Sequence, residues 1–319
     1  MKTIGVNLLW LQPGVVGGSE EYTLSLLRAV HEIDPLDLEL RLYVQKSLLE
    51  HHPDLGQRFE VLTAPGLPGG KVGRVVAEHT WLARQSTSVS VVHHAGGVIP
   101  SQAPSVPVLT ILDLQPLDMP ENFGFIKRAW LGRMIPRSLE RAAVIVTPSS
   151  FTAGRITAMG VSEDRLHVVP FGLEPSEDGL SSRTASDPVA PVAPVFVYPA
   201  IAYPHKRHAD LIEAFSILVA DHPEARLILT GGEGPLTGPV RSLIEAASLG
   251  GSVKMTGRIS RPELLELVAS ATAVVIPSEY EGFGLPALEA MSLGTPVIVA
   301  DAGSLPEVVG GAGIVVPPR

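Results

Sequence analysis

Residues 273–300 read AVVIPSEYEGFGLPALEAMSLGTPVIVA, and this stretch decides the fold. Ala273–Ile276 is a short run of apolar residues, the pattern of a strand covered on both faces. Pro277 and Ser278 stop it, and Gly282 and Gly284 mark a loop that needs unusual backbone angles or close approach to a ligand. Pro286 suits the first position of a helix, Gly294 suits the residue after its end, and Pro296 blocks continuation. Val297–Val299 is a second buried strand. The whole is one βαβ unit, for which a right-handed connection is expected.

Two carboxylates sit in the unit, Glu281 in the loop and Glu289 on the helix among Ala287, Leu288, Ala290 and Met291. Glu281 follows the carboxyl end of a strand, where ligands bind in open α/β sheets. Glu289 needs partners, because burying an unpaired carboxylate is costly. Hydroxyl donors such as a ribose would satisfy it, and so would backbone amides or an arginine. The amides of Gly282, Phe283, Gly284 and Leu285 stand at the positive end of the helix dipole, which suits a phosphate or sugar hydroxyl.

The stretch PSEYEGFGLPALEAMSLGTPVIVADAGSLPEVVG, residues 277–310, closely resembles the donor-site signature of family 4 retaining glycosyltransferases. The resemblance implies a GT-B fold: two Rossmann-like parallel-sheet α/β domains facing a cleft that holds a nucleotide sugar. The likeness is strong after Pro277 and moderate before Gly172.

Length supports this reading, since 319 residues favour two domains over one. The division expected is an acceptor-side domain over 1–173, a linker over 174–194 rich in Ser, Pro, Asp and Ala, and a nucleotide-sugar domain over 195–319. Relatives usually continue through further helices, the last crossing back to the first domain. The second domain is therefore expected to be incomplete, with looser coupling between the two. The absence of cysteine removes disulfides, thiolate metal sites and a cysteine nucleophile. A net charge of -9 argues against nucleic acid as a partner. No apolar run reaches transmembrane length, and MKTIGVNLLW is too short and too soon broken for a signal peptide, so a cytoplasmic protein is expected.

In chain order, Thr3–Leu9 reads as a strand and Pro13–Gly18 as a glycine-rich loop, with Ser19 placed to cap a helix that opens with Glu20 and Glu21. A strand, loop and helix N-terminus make an anion site in principle, though G-x-G-x-x-G is missing. The residues alone do not separate this from a plain turn; the resemblance aligns Gly17 and Gly18 with the loop that approaches the donor diphosphate. His93–Gly97 reads as a loop lining the cleft, and no third metal ligand stands at suitable spacing. Residues 109–123, LTILDLQPLDMPENF, resemble the acceptor-side motif, with Asp113 matching and Leu112 replacing a histidine found in many relatives.

Residues 125–143 read as a basic helix broken or kinked at Pro136, with Arg133, Arg137 and Arg141 on one face and Trp130, Leu131, Met134 and Ile135 as apolar surface. A solvated face over a core-packed one is the ordinary reading. Peripheral contact with the inner face of a membrane is the other.

In the second domain Lys206 and Arg207 stand in a strand-to-helix loop able to neutralise a diphosphate, and the resemblance aligns Lys206 with the phosphate-binding lysine. Gly231 and Gly232 resemble the loop beside the nucleotide, and the resemblance implies a place near the base for Arg258. The resemblance thus implies a retaining hexosyltransferase of mannose or glucose type, serving glycan, polysaccharide or glycolipid synthesis. Glu281, Lys206 and Asp113 would be catalytic, Glu289 would bind ribose, and the acceptor would be a glycan or lipid-linked hydroxyl. No Asp-x-Asp metal signature is evident, and the nucleoside-diphosphate sugar is a co-substrate, so no metal or cofactor is expected. The rival readings are a sugar-nucleotide epimerase, which lacks motif support, and a non-catalytic nucleotide-sugar- or partner-binding homologue, which Leu112 and the early C-terminus suggest.

Overall fold

The structure is a computed structural model that describes residues 2–14, 18–33, 37–66, 70–173 and 193–318. The chain divides into two compact units, Met1–Gly172 and Leu173–Arg319. Most of the expected linker, residues 174–192, lies outside the described residues.

The first unit carries seven strands: β1 (Lys2–Asn7), β2 (Leu38–Val44), β3 (Glu60–Thr63), β4 (Val91–His94), β5 (Val106–Thr110), β6 (Val144–Thr147) and β7 (Leu166–Val168). All pair in parallel, in the order β3-β2-β1-β4-β5-β6-β7. Parallel strands need crossovers, and helices such as Gly18–Ile33 and Phe125–Arg141 supply them. One core forms around Leu8, Leu24, Leu27, Leu42 and Leu48, another around Leu109, Ile135, Leu139, Ile145 and Ile156. The end of the unit is pinned to the first helix, where the Phe171 and Tyr22 rings stack 3.8 Å apart.

The second unit carries β8 (Val195–Pro199), β9 (Arg226–Thr230), β10 (Val253–Gly257), β11 (Ala273–Ile276), β12 (Val297–Ala300) and β13 (Ile314–Val316), again all parallel, in the order β10-β9-β8-β11-β12-β13. Its core gathers Val197, Ile212, Leu227, Val274, Ile276, Ala287, Val297 and Val299. The βαβ unit read from 273–300 is present, with Val274 opposite Val297 and the helix over Leu285–Ser292. Pro286 is its second residue rather than its first.

Three sequence expectations change. The Phe125–Arg141 helix runs through Pro136 without a break; Pro136 leaves the Gly132 carbonyl without an amide donor, and Gly132 is exposed, so water can serve that carbonyl. Ser19 lies inside the first helix, which opens at Gly18, and its carbonyl accepts from Thr23 Oγ1 at 2.7 Å. His93 and His94 belong to β4 itself, not to a loop, because their neighbours on β1 and β5 continue the ladder past them. On the Phe125–Arg141 helix Met134 and Ile135 are buried, Ile135 within the core around Leu109 and Leu139, as the reading of a solvated face over a core-packed one expects.

Each sheet reverses its strand order once. In the second unit the reversal lies between β8 and β11, the point where an open α/β sheet leaves a crevice at its carboxyl edge. The loops after β8 and β11 carry Lys206 and Glu281.

Candidate functional site

After β8 the chain makes a tight turn over Pro204–Lys206, then enters the helix His208–Asp221 through Arg207 in the left-handed region (φ 51°). After β11 it runs through Ser278–Gly284 into the Leu285 helix. These two loops meet. Lys206 Nζ donates to Glu281 Oε1 at 2.5 Å, and both side chains are largely buried. Glu279 N donates to the His205 carbonyl at 2.9 Å. Tyr198 at the end of β8 donates its phenol to the Lys206 carbonyl at 2.8 Å and lies 3.0 Å from Ser278 Oγ, which is fully buried. Burial, then the Glu281 carboxylate, holds that phenol well above its ordinary range, so it remains a donor.

The Glu281 loop is clamped from behind. Ser304 N donates to the Glu281 carbonyl at 3.1 Å, and the Ser304 hydroxyl lies 3.0 Å from that oxygen and 2.7 Å from the Phe283 carbonyl. Gly303 (φ 60°) makes this possible: a Cβ there would lie 2.7 Å from the Glu281 carbonyl oxygen. Gly284 caps the following helix with φ 106°, the unusual angle its sequence position suggested. A Cβ on it would meet Leu305 Cδ2 at 2.8 Å. In the helix that Leu285 opens, Pro286 has no N–H and the Ala287 and Leu288 amides donate to the Gly284 carbonyl at 2.9 and 3.3 Å, which leaves Leu285 N as the first-turn donor outside the helix's own bonds.

Glu289 is 9% exposed, and Arg261 Nη1 donates to its Oε1 at 2.6 Å. An arginine therefore supplies one of the partners this carboxylate needs. Arg207 turns to Asp210 at 2.7 Å and stands 3.7 Å from Glu279. Glu307 lies on the short helix Leu305–Val309.

At the carboxyl ends of β9 and β10, Gly231 N donates to the Gly257 carbonyl at 3.0 Å, which brings Gly231, Gly232 and Arg258 together. A cavity of about 240 Å³ opens beside them, lined among others by His208, Thr230, Thr237 and Arg241. His205 and His208 are buried, and burial lowers both imidazoles to about 4, with the Lys206 charge a lesser cause; they are neutral at neutral pH. Positive charge beside Glu281 thus comes from Lys206 rather than from these rings.

In the first unit Gly18 begins the first helix, while Gly17 lies outside the described residues. Glu20 folds back to accept from Gly14 N at 2.8 Å. Asp113 Oδ1 accepts from Gln115 N at 2.9 Å, fixing the turn after β5. Nearby on β4 and β5, His93 Nε2 and Thr110 Oγ1 are 2.6 Å apart. Among the described residues, no group of three His, Cys, Asp or Glu side chains is placed to hold a metal ion.

Sequence reading missed Tyr198, Ser278, Arg261, Gly303 and Ser304. Their signals were weak: a tyrosine at a strand end, a serine after a proline, an arginine at a helix start and a Gly-Ser pair. Each acts through a partner 20 to 80 residues away, apart from the local Tyr198–Lys206 bond.

Residues 188–319 match the family model described as glycosyl transferases group 1. The MMP alpha-(1->4)-mannosyltransferase of Mycolicibacterium hassiacum is 35% identical over 191 residues, 57% of this chain and 43% of that one. O-antigen chain mannosyltransferase B of Escherichia coli is 32% identical over 222 residues, 66% of this chain and 57% of that one. The chain thus spans about half the length of these two relatives. Among solved structures, Anabaena HepE, in complex with UDP and glucose, superposes with a TM-score of 0.71 at 19% identity, over 100% of this chain and 86% of that one. Two parallel-sheet α/β units of this kind are the GT-B architecture.

Proposed function

From the match of residues 188–319 to the family model described as glycosyl transferases group 1, we propose that the protein is a retaining hexosyltransferase. It transfers a mannose- or glucose-type residue from a nucleoside-diphosphate sugar to a hydroxyl of a glycan or lipid-linked acceptor. The observation that carries this reading is the 2.5 Å contact of Lys206 and Glu281 at the strand-order reversal of the second unit. A lysine ammonium has three donors. One goes to Glu281, and two remain for the oxygens of a departing diphosphate.

In this reading the acceptor hydroxyl forms its bond to the anomeric carbon on the face from which the diphosphate leaves and passes its proton to the departing phosphate oxygen, so configuration is kept. Negative charge grows on the leaving oxygen. Lys206 and the amides around Gly284 and Leu285, at the N-terminus of the helix, stabilise that charge. Glu281 accepts from hydroxyls of the transferred sugar, with its carboxylate held by Lys206. Glu289, oriented by Arg261, accepts from the ribose, and Gly231, Gly232 and Arg258 border the nucleotide. Asp113 serves the acceptor side. Arg207 acts through Glu279 and Asp210, as a brace for the loop more than as a direct phosphate ligand. The mannosyltransferase relatives support a mannose-type donor, and the UDP in the HepE complex keeps a uridine nucleotide in the panel.

The test is release of nucleoside diphosphate from GDP-mannose, UDP-glucose and related donors across an acceptor panel. Glu281→Gln and Lys206→Ala are each expected to lower kcat by about 10²–10³, the scale for removing one stabilising group in a preorganised site. A transfer rate unchanged in both would overturn the assignment. The second reading, a homologue that binds donor without turnover, rests on Leu112. It predicts donor binding by calorimetry with no diphosphate release for any acceptor.

A further inference from the structure

Among the described residues two carboxylates are buried, and they differ. Glu289 has Arg261 as a partner. Glu78 is 6% exposed, and its carboxyl makes no hydrogen bond and closes no ion pair among the described residues. Burying such a group without a partner costs stability. A ligand that supplies the missing hydrogen bonds would be held strongly there, because a bond to a charged group is worth more than one between neutral groups.

Local structure singles out the same residue. The crossover from β3 to β4 opens as an α-helix over Lys71–Ala77, passes into a π turn over Glu78–Leu82 and returns to α-helix at Ala83–Gln85. Such turns are rare and frequent at functional sites. Glu78 opens this one. Its neighbour Ala77 belongs to one packed cluster with Leu9, Tyr43 and Ala64, which lie at or just beyond the carboxyl ends of β1, β2 and β3. Glu78 therefore stands at the edge where open α/β sheets take their ligands.

The residue one turn earlier narrows the ligand. Arg74 Nε is also buried without a partner. The Arg74 charge acts on Glu78, yet no ion pair joins the two. Burial outweighs that charge and raises the Glu78 carboxyl to about 7. Ionised Glu78 would repel a simple anion here, and Arg74 would repel a simple cation. A group that donates to a carboxylate and accepts from a guanidinium suits both, and a hydroxyl does so. Adjacent hydroxyls on a sugar ring offer one to each side chain.

We propose that Glu78 and Arg74 form a sugar-binding subsite of the first unit, in which the Glu78 carboxylate accepts from one hydroxyl of the acceptor and the Arg74 guanidinium donates to the next. That the sugar is the acceptor's rests on the transferase reading; the hydroxyl chemistry rests on these two side chains. The subsite selects among acceptors and contacts no atom of the donor.

The experiment is saturation-transfer NMR of methyl α-mannopyranoside and methyl α-glucopyranoside with the full chain, with and without GDP or UDP, beside calorimetry of the two nucleotides. The parent is expected to transfer saturation to at least one glycoside. Glu78→Leu and Arg74→Gln should each weaken its binding by at least about tenfold, the scale of one hydrogen bond to a charged group. Nucleotide Kd should stay at the parental value in both. The melting temperature of Glu78→Leu should equal or exceed the parent's, since an apolar side chain of similar size replaces an unpartnered acid. Glycoside affinity should rise as pH passes upward through about 7, where Glu78 ionises and becomes an acceptor only, and Glu78→Gln should flatten that profile. Three results would overturn the proposal. Neither glycoside could receive saturation. Binding could persist undiminished in Glu78→Leu, which would leave water as the occupant. Or nucleotide Kd could rise together with the loss of glycoside, which would assign the carboxyl to the donor or to the fold. Nucleotides that never bind the parent, with glycoside binding still lost in Glu78→Leu, would keep the subsite and remove the transferase reading instead.

Discussion

At the residue scale, the Glu281 residue is held from two sides. Lys206 holds it from one side, and Gly303 and Ser304 hold its backbone from the other. Gly303 has φ 60°, and a Cβ on it would press on the Glu281 carbonyl and amide at 2.7 and 2.8 Å. Gly303→Ala therefore meets both backbone strain and a contact with main chain, which cannot swing aside. It should cost roughly 1–3 kcal/mol of stability. In the proposed enzyme it should also depress kcat more than it raises donor KM, because it moves the group that contacts the transferred sugar. Urea unfolding alongside steady-state kinetics reads both effects, and an Ala variant with parental midpoint and parental kcat would show that the loop is freer than its contacts indicate.

At the element scale, the helix Arg261–Ser270 delivers Arg261 to Glu289, so its N-terminus matters more than its length. Ser260 caps it: its Oγ accepts from Glu263 N at 3.4 Å, while Glu263 Oε2 accepts from Ser260 N at 2.8 Å, a reciprocal capping box. The Ser260 hydroxyl and main chain hold the Glu263 carboxyl below its usual range. Ser260→Ala should cost about 1 kcal/mol. Because the frayed turn carries Arg261, the same change should raise nucleotide Kd in a titration by calorimetry. Loss of stability with unchanged nucleotide affinity would separate the cap from the Glu289 pair. The same logic explains why Pro136 is tolerated: a helix held by four buried residues on one face survives one missing amide donor on the other.

At the scale of the molecule, the two units should respond differently to acid. In the second unit burial lowers His205 and His208 to about 4, against an unfolded value near 6.5. Between those values the unfolded chain holds more protons, so stability rises with pH across that window and is lost as pH falls through it. Each group contributes a slope of up to about 1.4 kcal/mol per pH unit. In the first unit His93 and His94 are lowered to about 4 and about 3, mainly by burial, and act in the same sense. Glu78 there opposes them. Burial raises it to about 7, so between pH 4.5 and 7 the folded form holds its proton and stability falls as pH rises. The second unit should therefore lose stability more steeply on acidification from pH 6.5 to 4.5. All three tryptophans, Trp10, Trp81 and Trp130, lie in the first unit, so fluorescence reports that unit while circular dichroism reports both. On acidification the dichroism midpoint should fall ahead of the fluorescence midpoint. Coincident midpoints at every pH would contradict the assignment.

The sequence alone determined the strand and helix alternation, because apolar runs such as Ala273–Ile276 and Val297–Val299 and their Pro and Gly stops act within a few residues. It also brought out Lys206 and Glu281, which stand beside those stops in loops that parallel strands push to one edge. It was less sure where packing overrules local preference. Pro136 reads as a break until the buried face of its helix is seen, and His93 and His94 read as a loop until their ladder partners on β1 and β5 are known. Only the tertiary structure decided who pairs with whom. That Arg261 answers Glu289, that Ser304 ties down the Glu281 loop, and that Phe125 and Ile126 stand bare while Met134 and Ile135 are covered are facts about residues distant in sequence. Strand order sets those distances, and no local pattern encodes them.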